Sequence, residues 1–404
     1  MGVEIRPANK EEMKEFRRST EIAFLPSPTE QPELETQMRP EWTLCAFEDG
    51  KLATSYAAWP FTISFNGKGI AASGVTSVGT LPHYRRRGYL RKITALHFEQ
   101  LHEEKTQPLA ILGAMWVAIY QRYGYAVVST YHRHRIEPRY LQFPSGQTVP
   151  GRFHEAPEKD PAVLKDIYKK FVADKTGYIH RVQAMWEHRV LVKPAKGKIL
   201  RQLIYEEDAQ PLGYVIYEAM HHPNPEVKAP PYQRMHIRDL AWLSISAYQA
   251  IWDYFAQHDV ARDVVWQAPV DDPLPHLLLE PRMLNTTTRD AILGRIIDVD
   301  EVLSGREYPG EGELFFEIVD DGLCPWNNGR WKLETSGPES SVTSSTREPE
   351  MIMPISTMAM LAFGQVSAVE AARMGRLEAK DQSVLPKWDR MMRTMYRPFC
   401  PDEF

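Results

Sequence analysis

At 404 residues the chain is too long for one ordinary hydrophobic core and is sized for two or three domains. With 43% apolar and 25% charged residues and no low-complexity tract, it reads as folded throughout. Its formal net charge of −5 speaks against general nucleic-acid binding while permitting a cationic substrate, and with no run of about 18 apolar residues a soluble, cytoplasmic protein is expected.

In chain order, residues 3–6 read as a strand, and Asn9 with Glu12 three positions later announces a helix carrying Met13, Phe16, Ile22 and Phe24. Strands follow at 42–48 and 52–65 across Asp49-Gly50, and Asn66-Gly67 is a hairpin signal into 70–81. Then comes Arg85-Arg86-Arg87-Gly88-Tyr89-Leu90, opening an amphipathic helix through Ile93, Leu96, His97 and Leu101. A strand feeding a helix through such a turn presents unpaired N–H groups and the positive end of the helix dipole, which together suit a pyrophosphate. Gly88 lets the backbone approach closely, and the arginines add charge at the rim. Taken alone, an arginine run before a helix also fits a solvated face or a nucleic-acid patch. An apolar strand at 108–113 and the run Ile119-Tyr120-Gln121-Arg122-Tyr123-Gly124-Tyr125 complete a β-turn-α-β-α unit, with another strand at 125–132. The alternation His132-Arg133-His134-Arg135 reads as a solvated edge strand rather than a metal site.

Proline and glycine at 143–152 mark a boundary. Beyond it, helices are expected at 162–173 and 182–192, strands at 198–206, 212–220 and 235–243, a helix at 246–258, and a strand at 263–268. The theme repeats, but the junction Trp242-Leu243-Ser244-Ile245-Ser246 has neither glycine nor arginine and suits a pyrophosphate poorly. The loop 221–232, rich in proline, reads as a rigid surface excursion. Strands at 292–299, 312–319 and 330–335 and helices at 358–363 and 368–373 follow, with the serine-rich stretch 336–345 as an exposed loop. Cys45, Cys324 and Cys400, without a C-x-x-C pair, imply neither a disulfide framework nor a zinc site, and buried free thiols are the default.

The glycine turn and the tyrosine motif resemble the GNAT superfamily of acyl-CoA-dependent N-acyltransferases. Its cofactor turn reads R/Q-x-x-G-x-G/A, and its later signature reads F/I-Y-x-x-x-G-F/Y. Arg85, Gly88, Ile119, Tyr120, Gly124 and Tyr125 match, and Leu90 departs from the usual small residue. The fuller pattern R-R-R-G-x-L-R with I-Y-x-R-F/Y-G-Y, in a chain of this length ending in phenylalanine, resembles the Eis (enhanced intracellular survival) family of N-acetyltransferases.

That resemblance implies an α/β (α+β) chain of three domains. These are a catalytic GNAT fold at 1–150, a second GNAT-like fold without its own cofactor site at 151–285, and a sterol-carrier-protein-like domain at 286–404. The sheets are expected to be mixed and mostly antiparallel. It implies acetyl-CoA as co-substrate, no metal, and a homo-oligomer, trimer or hexamer. The acceptors would be amines, either aminoglycosides or lysine side chains.

Donor contacts fall on the backbone of Val78, Gly79 and Thr80 and on the turn Arg86, Arg87, Gly88, Tyr89, Leu90 and Arg91. Met115 and Trp116 stand where the family offers a serine-containing loop, and neither is serine. The resemblance makes Tyr120 the candidate general acid, and a phenol with a pKa of about 10 keeps its proton at neutral pH. The Eis resemblance implies the carboxylate of Phe404 as the base, on a segment stiffened by Pro398 and Pro401, although a free terminus near about 3.5 must be raised by burial to serve. Glu30, Glu33 and Glu35 are candidates for selecting a cationic acceptor. The rival class is a non-catalytic CoA- or lipid-binding protein on the same folds.

Overall fold

The computed structural model describes residues 2–25, 37–144, 150–157, 161–224, 226, 230–336 and 339–404. Glu30, Glu33 and Glu35 lie outside the described residues. The chain divides into two compact units, one of Met1–Ser129, Thr176–His180 and Ala291–Phe404, the other of Thr130–Lys175 and Arg181–Asp290.

The larger sheet of the first unit runs Val3–Arg6 (β1), Cys45–Glu48 (β2), Lys51–Phe65 (β3), Lys68–Thr80 (β4), Leu109–Leu112 (β5), Leu293–Ile296 (β15) and Ala126–Val127 (β6), with Thr176–Ile179 (β9) pairing on β3. Its hairpins form where the turn chemistry demands them. Asp49 and Gly50, and again Asn66 and Gly67, all take positive φ (50°, 77°, 46° and 95°), as a two-residue turn between right-twisted strands requires. Asn9 and Glu12 make the reciprocal pair expected of them, Asn9 N donating to Glu12 Oε2 at 2.8 Å and Glu12 N to Asn9 Oδ1 at 2.9 Å, ahead of helix α1 (Met13–Phe24).

The second sheet of this unit has the order Ser340–Ser344 (β18), Gly329–Ser336 (β17), Glu311–Val319 (β16), Met351–Pro354 (β19) and Glu378–Ala379 (β20). The serine-rich stretch is therefore an edge strand and not a loop: Trp331 pairs with Ser344 and Leu333 with Val342. Serine composition masked the strand, because an edge with one wet face tolerates polar residues.

In the second unit one sheet runs Thr287–Asp290 (β14), Thr130–Ile136 (β7), Ala261–Pro269 (β13), Gln233–Trp242 (β12), Gln210–His221 (β11), Lys198–Glu207 (β10) and Arg152–Glu155 (β8). Tyr248, Trp252, Phe255 and Trp266 build its aromatic core. The histidine-arginine run lies on β7, between two partners and not at an edge. His134 is buried with Nδ1 2.8 Å from Thr286 Oγ1, and burial pushes its pKa down to about 4.

The stretch expected as one strand at 125–132 thus divides. β6 ends at Val127 in the first sheet and β7 opens at Thr130 in the other. Conversely, β15 enters the first sheet between β5 and β6 from far down the chain. The sequence boundaries at 150 and 285 each fall a strand away from these crossings. All three cysteines are buried.

Candidate active site

The site begins with a defect in β4. Ala57 pairs with Thr76 and Ser55 with Gly79, so Ser77 and Val78 together oppose Tyr56, a bulge in which Ser77 takes φ 52°. On its other edge β4 pairs with β5 only from Ala72 to Gly74, opposite Leu109 to Ile111. Beyond Gly74 the strands part, leaving the backbone of residues 75–80 without a strand partner on that side. An extended chain with amide groups can bond there as a strand would. Gly79 is small for a separate reason: a Cβ there would lie 2.6 Å from Ala23 Cβ on α1.

Past Thr80 the chain turns into helix α2 (Tyr89–Glu104). Gly88 is its N-cap with φ 81°, and a Cβ at that position would meet nothing within 4 Å. Glycine is thus required by its backbone angle, and its outer face stays open. No side chain caps the helix, and its first intrahelical bond runs from Lys92 N to Gly88 O, so the amides of Tyr89, Leu90 and Arg91 precede the helical ladder. These groups fit an anion such as a pyrophosphate. Leu90 packs against the core beside Ile93, so its bulk turns inward.

The arginines divide their labour. Arg85 Nε donates to Thr80 O at 3.1 Å. Arg87 Nη1 donates to both oxygens of Glu48, at 2.9 and 2.7 Å, and Nη2 to His83 O at 3.1 Å. Glu48 is buried and needs that counter-charge, so the half-exposed Arg87 side chain braces the turn against β2. Arg86, at φ 65°, and Arg91 remain exposed.

Beneath the parting strands lies a cluster missed in the sequence. His97 on α2 meets Tyr56 OH with Nδ1 at 2.7 Å and Ser73 Oγ with Nε2 at 3.3 Å, tying the helix to β3 and β4. Burial pushes His97 down to about 4, so it stays neutral at pH 7.

After β5 the loop displays Met115 and Trp116, both about three-quarters exposed at 74% and 73%. Tyr120 follows on the one-turn helix α3 (Val117–Gln121). Its ring stands edge-on to that of Tyr125 at 5.9 Å, and burial pushes its phenol up to about 12. Tyr125 itself is core.

The terminal segment is seated on β9. Phe399 N donates to Thr176 O at 3.0 Å, and Gly177, at φ 92°, passes so close that a Cβ would sit 2.8 Å from Phe399 O. From there Phe404 places its ring edge-on to Phe61, centroids 5.0 Å apart. A Cβ on Gly74 would lie 3.3 Å from that Phe404 ring and 2.3 Å from the Phe61 ring. The last residue therefore rests beside the point where β4 and β5 separate. Neither β9 nor Gly74 was singled out from the sequence; the only cue to β9 was the β-favouring run Thr176-Gly177-Tyr178-Ile179.

The second unit has the analogous junction between β12 and helix α4 (Ile245–Ala256), and there Ser244 is the N-cap, its Oγ accepting from Ala247 N at 3.2 Å. Ser246 Oγ donates to Glu207 Oε2 at 3.0 Å, which brings a carboxylate to the same helix end. A phosphate would meet a filled cap and a like charge. Among the described residues no group of three His, Cys, Asp or Glu side chains could hold a metal, and no helix is long and apolar enough to cross a membrane.

Comparison with known proteins assigns domains along the chain. Residues 4–128 and 177–296 each match an acetyltransferase (GNAT) domain, and residues 299–401 match a sterol carrier protein domain. An uncharacterized N-acetyltransferase of Streptomyces avermitilis is 28% identical over 100% of this chain and 99% of its own. The N-acetyltransferase Eis of Mycobacterium tuberculosis is 26% identical over 79% of this chain and 77% of its own. Among solved structures, a GCN5-related N-acetyltransferase from Anabaena variabilis shares the fold with a TM-score of 0.88 at 22% identity, covering all of both chains. Eis1 from Mycobacterium abscessus does so with a TM-score of 0.83 at 23% identity, again over both full chains. The two matched acetyltransferase domains and the relatives identify a GNAT N-acetyltransferase. The order of two GNAT domains followed by a sterol-carrier-protein-like domain, with Eis among the relatives, matches an Eis-like GNAT.

Proposed function

We propose that the first GNAT fold transfers the acetyl group of acetyl-CoA to an amine, with Tyr120 as general acid and the carboxylate of Phe404 as general base. The observation that carries this reading is the seating of Phe404 beside Gly74, where β4 and β5 part. The pantetheine would lie along the backbone of Val78, Gly79 and Thr80, and the pyrophosphate on the amides from Arg86 to Arg91. Met115 and Trp116 border the thioester end.

In the reaction the amine nitrogen attacks the thioester carbonyl, its proton passes to the Phe404 carboxylate directly or through water, and the C–S bond breaks to give amide and CoA. A phenol at about 12 is a weaker acid than a thiol near about 8.5. Tyr120 therefore acts by donating a hydrogen bond to sulfur as charge builds, not by becoming a lasting phenolate. The acceptor is an amine-bearing small molecule such as an aminoglycoside, or a lysine-containing peptide. Cytoplasmic location and assembly into a trimer or hexamer belong to the same reading, the latter checked by light scattering.

The test is thiol release from acetyl-CoA with a panel of aminoglycosides, polyamines and lysine peptides. Turnover is expected with at least one amine and is expected to fall when two glycines are added after Phe404. Acetyl-CoA binding with no turnover on any amine, or full turnover by the extended chain, removes the corresponding part of the reading.

A further inference from the structure

The helix carrying Tyr120 hangs between two strands that share one neighbour. β5 ends at Leu112, β6 begins at Ala126, and Leu293 of β15 pairs with both Leu112 and Val127. From the middle of β15, Arg295 extends a fully buried guanidinium. Its Nε donates to Tyr123 O at 2.9 Å, its Nη1 to Ile296 O at 2.5 Å, and its Nη2 to Asp321 Oδ1 at 2.6 Å. Asp321 is buried as well, and it also accepts from Cys324 N at 3.0 Å and Asn327 Nδ2 at 3.1 Å.

A guanidinium stripped of water persists only where its donors are matched. Asp321 balances the charge, so the bond to Tyr123 O does something else. Tyr123 N and Tyr125 N both donate to the carbonyl of Tyr120, at 2.9 and 3.4 Å, which makes residues 120–125 one closed turn. Gly124 completes it at φ 83°, pressed so near that a Cβ would lie 2.9 Å from Arg295 Nε. Grip on Tyr123 O is thus grip on the backbone of Tyr120.

We propose that Arg295, oriented by Asp321, is the positioning residue for Tyr120 and sets where its phenol meets the thioester. The proposal rests on the reading of Tyr120 as the acid. It makes the stretch beyond the second GNAT domain, through Asp321, a part of the catalytic apparatus of the first.

The experiment is a double-mutant cycle on the full-length enzyme. Arg295→Lys keeps a charge for Asp321 but lacks the planar fork that reaches Tyr123 O at the same time. Its affinity for acetyl-CoA is expected to equal that of the wild type, with kcat lower by about 10-fold or more, because small misplacements of a reacting group are steeply costly. In the Tyr120→Phe background the same substitution is expected to cost nothing further. A merely structural role would lower thermal stability and make the two losses multiply. Multiplying losses, or an Arg295→Lys kcat within about 2-fold of wild type, overturn the proposal. If Arg295→Lys does not fold, Asp321→Asn, which keeps an acceptor for Arg295 but withdraws the charge, is read by the same cycle and the same criteria. A full-rate Tyr120→Phe enzyme removes the acid assignment and this proposal with it. An impaired Tyr120→Phe with a full-rate Arg295→Lys removes this proposal alone.

Discussion

Tyr120 and Gly177 show what single residues contribute to the proposed chemistry. Burial raises the Tyr120 phenol to about 12, so its proton is retained at neutral and moderately alkaline pH. The profile of kcat against pH is therefore expected to show no alkaline fall from Tyr120 below about pH 11, and Tyr120→Phe is expected to lower kcat by about 100-fold. A fall centred near pH 9 that vanishes in Tyr120→Phe would contradict this. Gly177 answers to two constraints at once, φ 92° and the carbonyl of Phe399. Gly177→Ala is expected to unseat the terminal segment and lower kcat about 10-fold while leaving acetyl-CoA affinity unchanged, as measured by calorimetry. Tyr120 and Gly88 were legible in the sequence because their cues are local, a motif and a turn. Glu48 was not, since its partner Arg87 stands 39 positions away and a lone glutamate in a strand carries no mark of its counter-ion.

The two strand-to-helix junctions are the informative pair among the elements. Both follow a strand that leaves its parallel neighbour, yet one helix opens on a bare glycine and the other on a serine that already fills its cap. Donor binding is accordingly expected at one acetyl-CoA per chain by calorimetry, unchanged in Ser244→Ala, which should lose about 1 kcal/mol of stability as a cap deletion does. Two equivalents per chain would refute the distinction. The sequence showed this difference, because capping chemistry is written in one or two residues. It did not show the serine-rich edge strand, whose pairing depends on a neighbour rather than on its own composition.

The whole molecule is organised by strands that cross between segments. β15 belongs to the first sheet although residues up to 296 match the second GNAT domain, and β7 leaves for the other sheet as soon as the first match ends at 128. No periodicity could have revealed this, because a short apolar strand such as Leu293–Ile296 is equally at home in any core sheet. A fragment of residues 1–150 is expected to be insoluble or to lack cooperative unfolding, since β5 and β6 would lose their shared neighbour. A soluble fragment with a sharp melting transition would show that β15 is dispensable.

The lateness of β15 also governs how the protein is made. On a ribosome adding about 5 to 20 residues each second, the strand that joins β5 to β6 emerges only after about 15 to 60 seconds. For the part of that interval after β6 has been made, about 8 to 33 seconds, the first sheet waits with two raw edges, the kind of surface on which newly made chains stick to one another. Chains truncated between β6 and β15 are therefore expected to aggregate more readily than the full chain, the sheet closing only in the third quarter of synthesis.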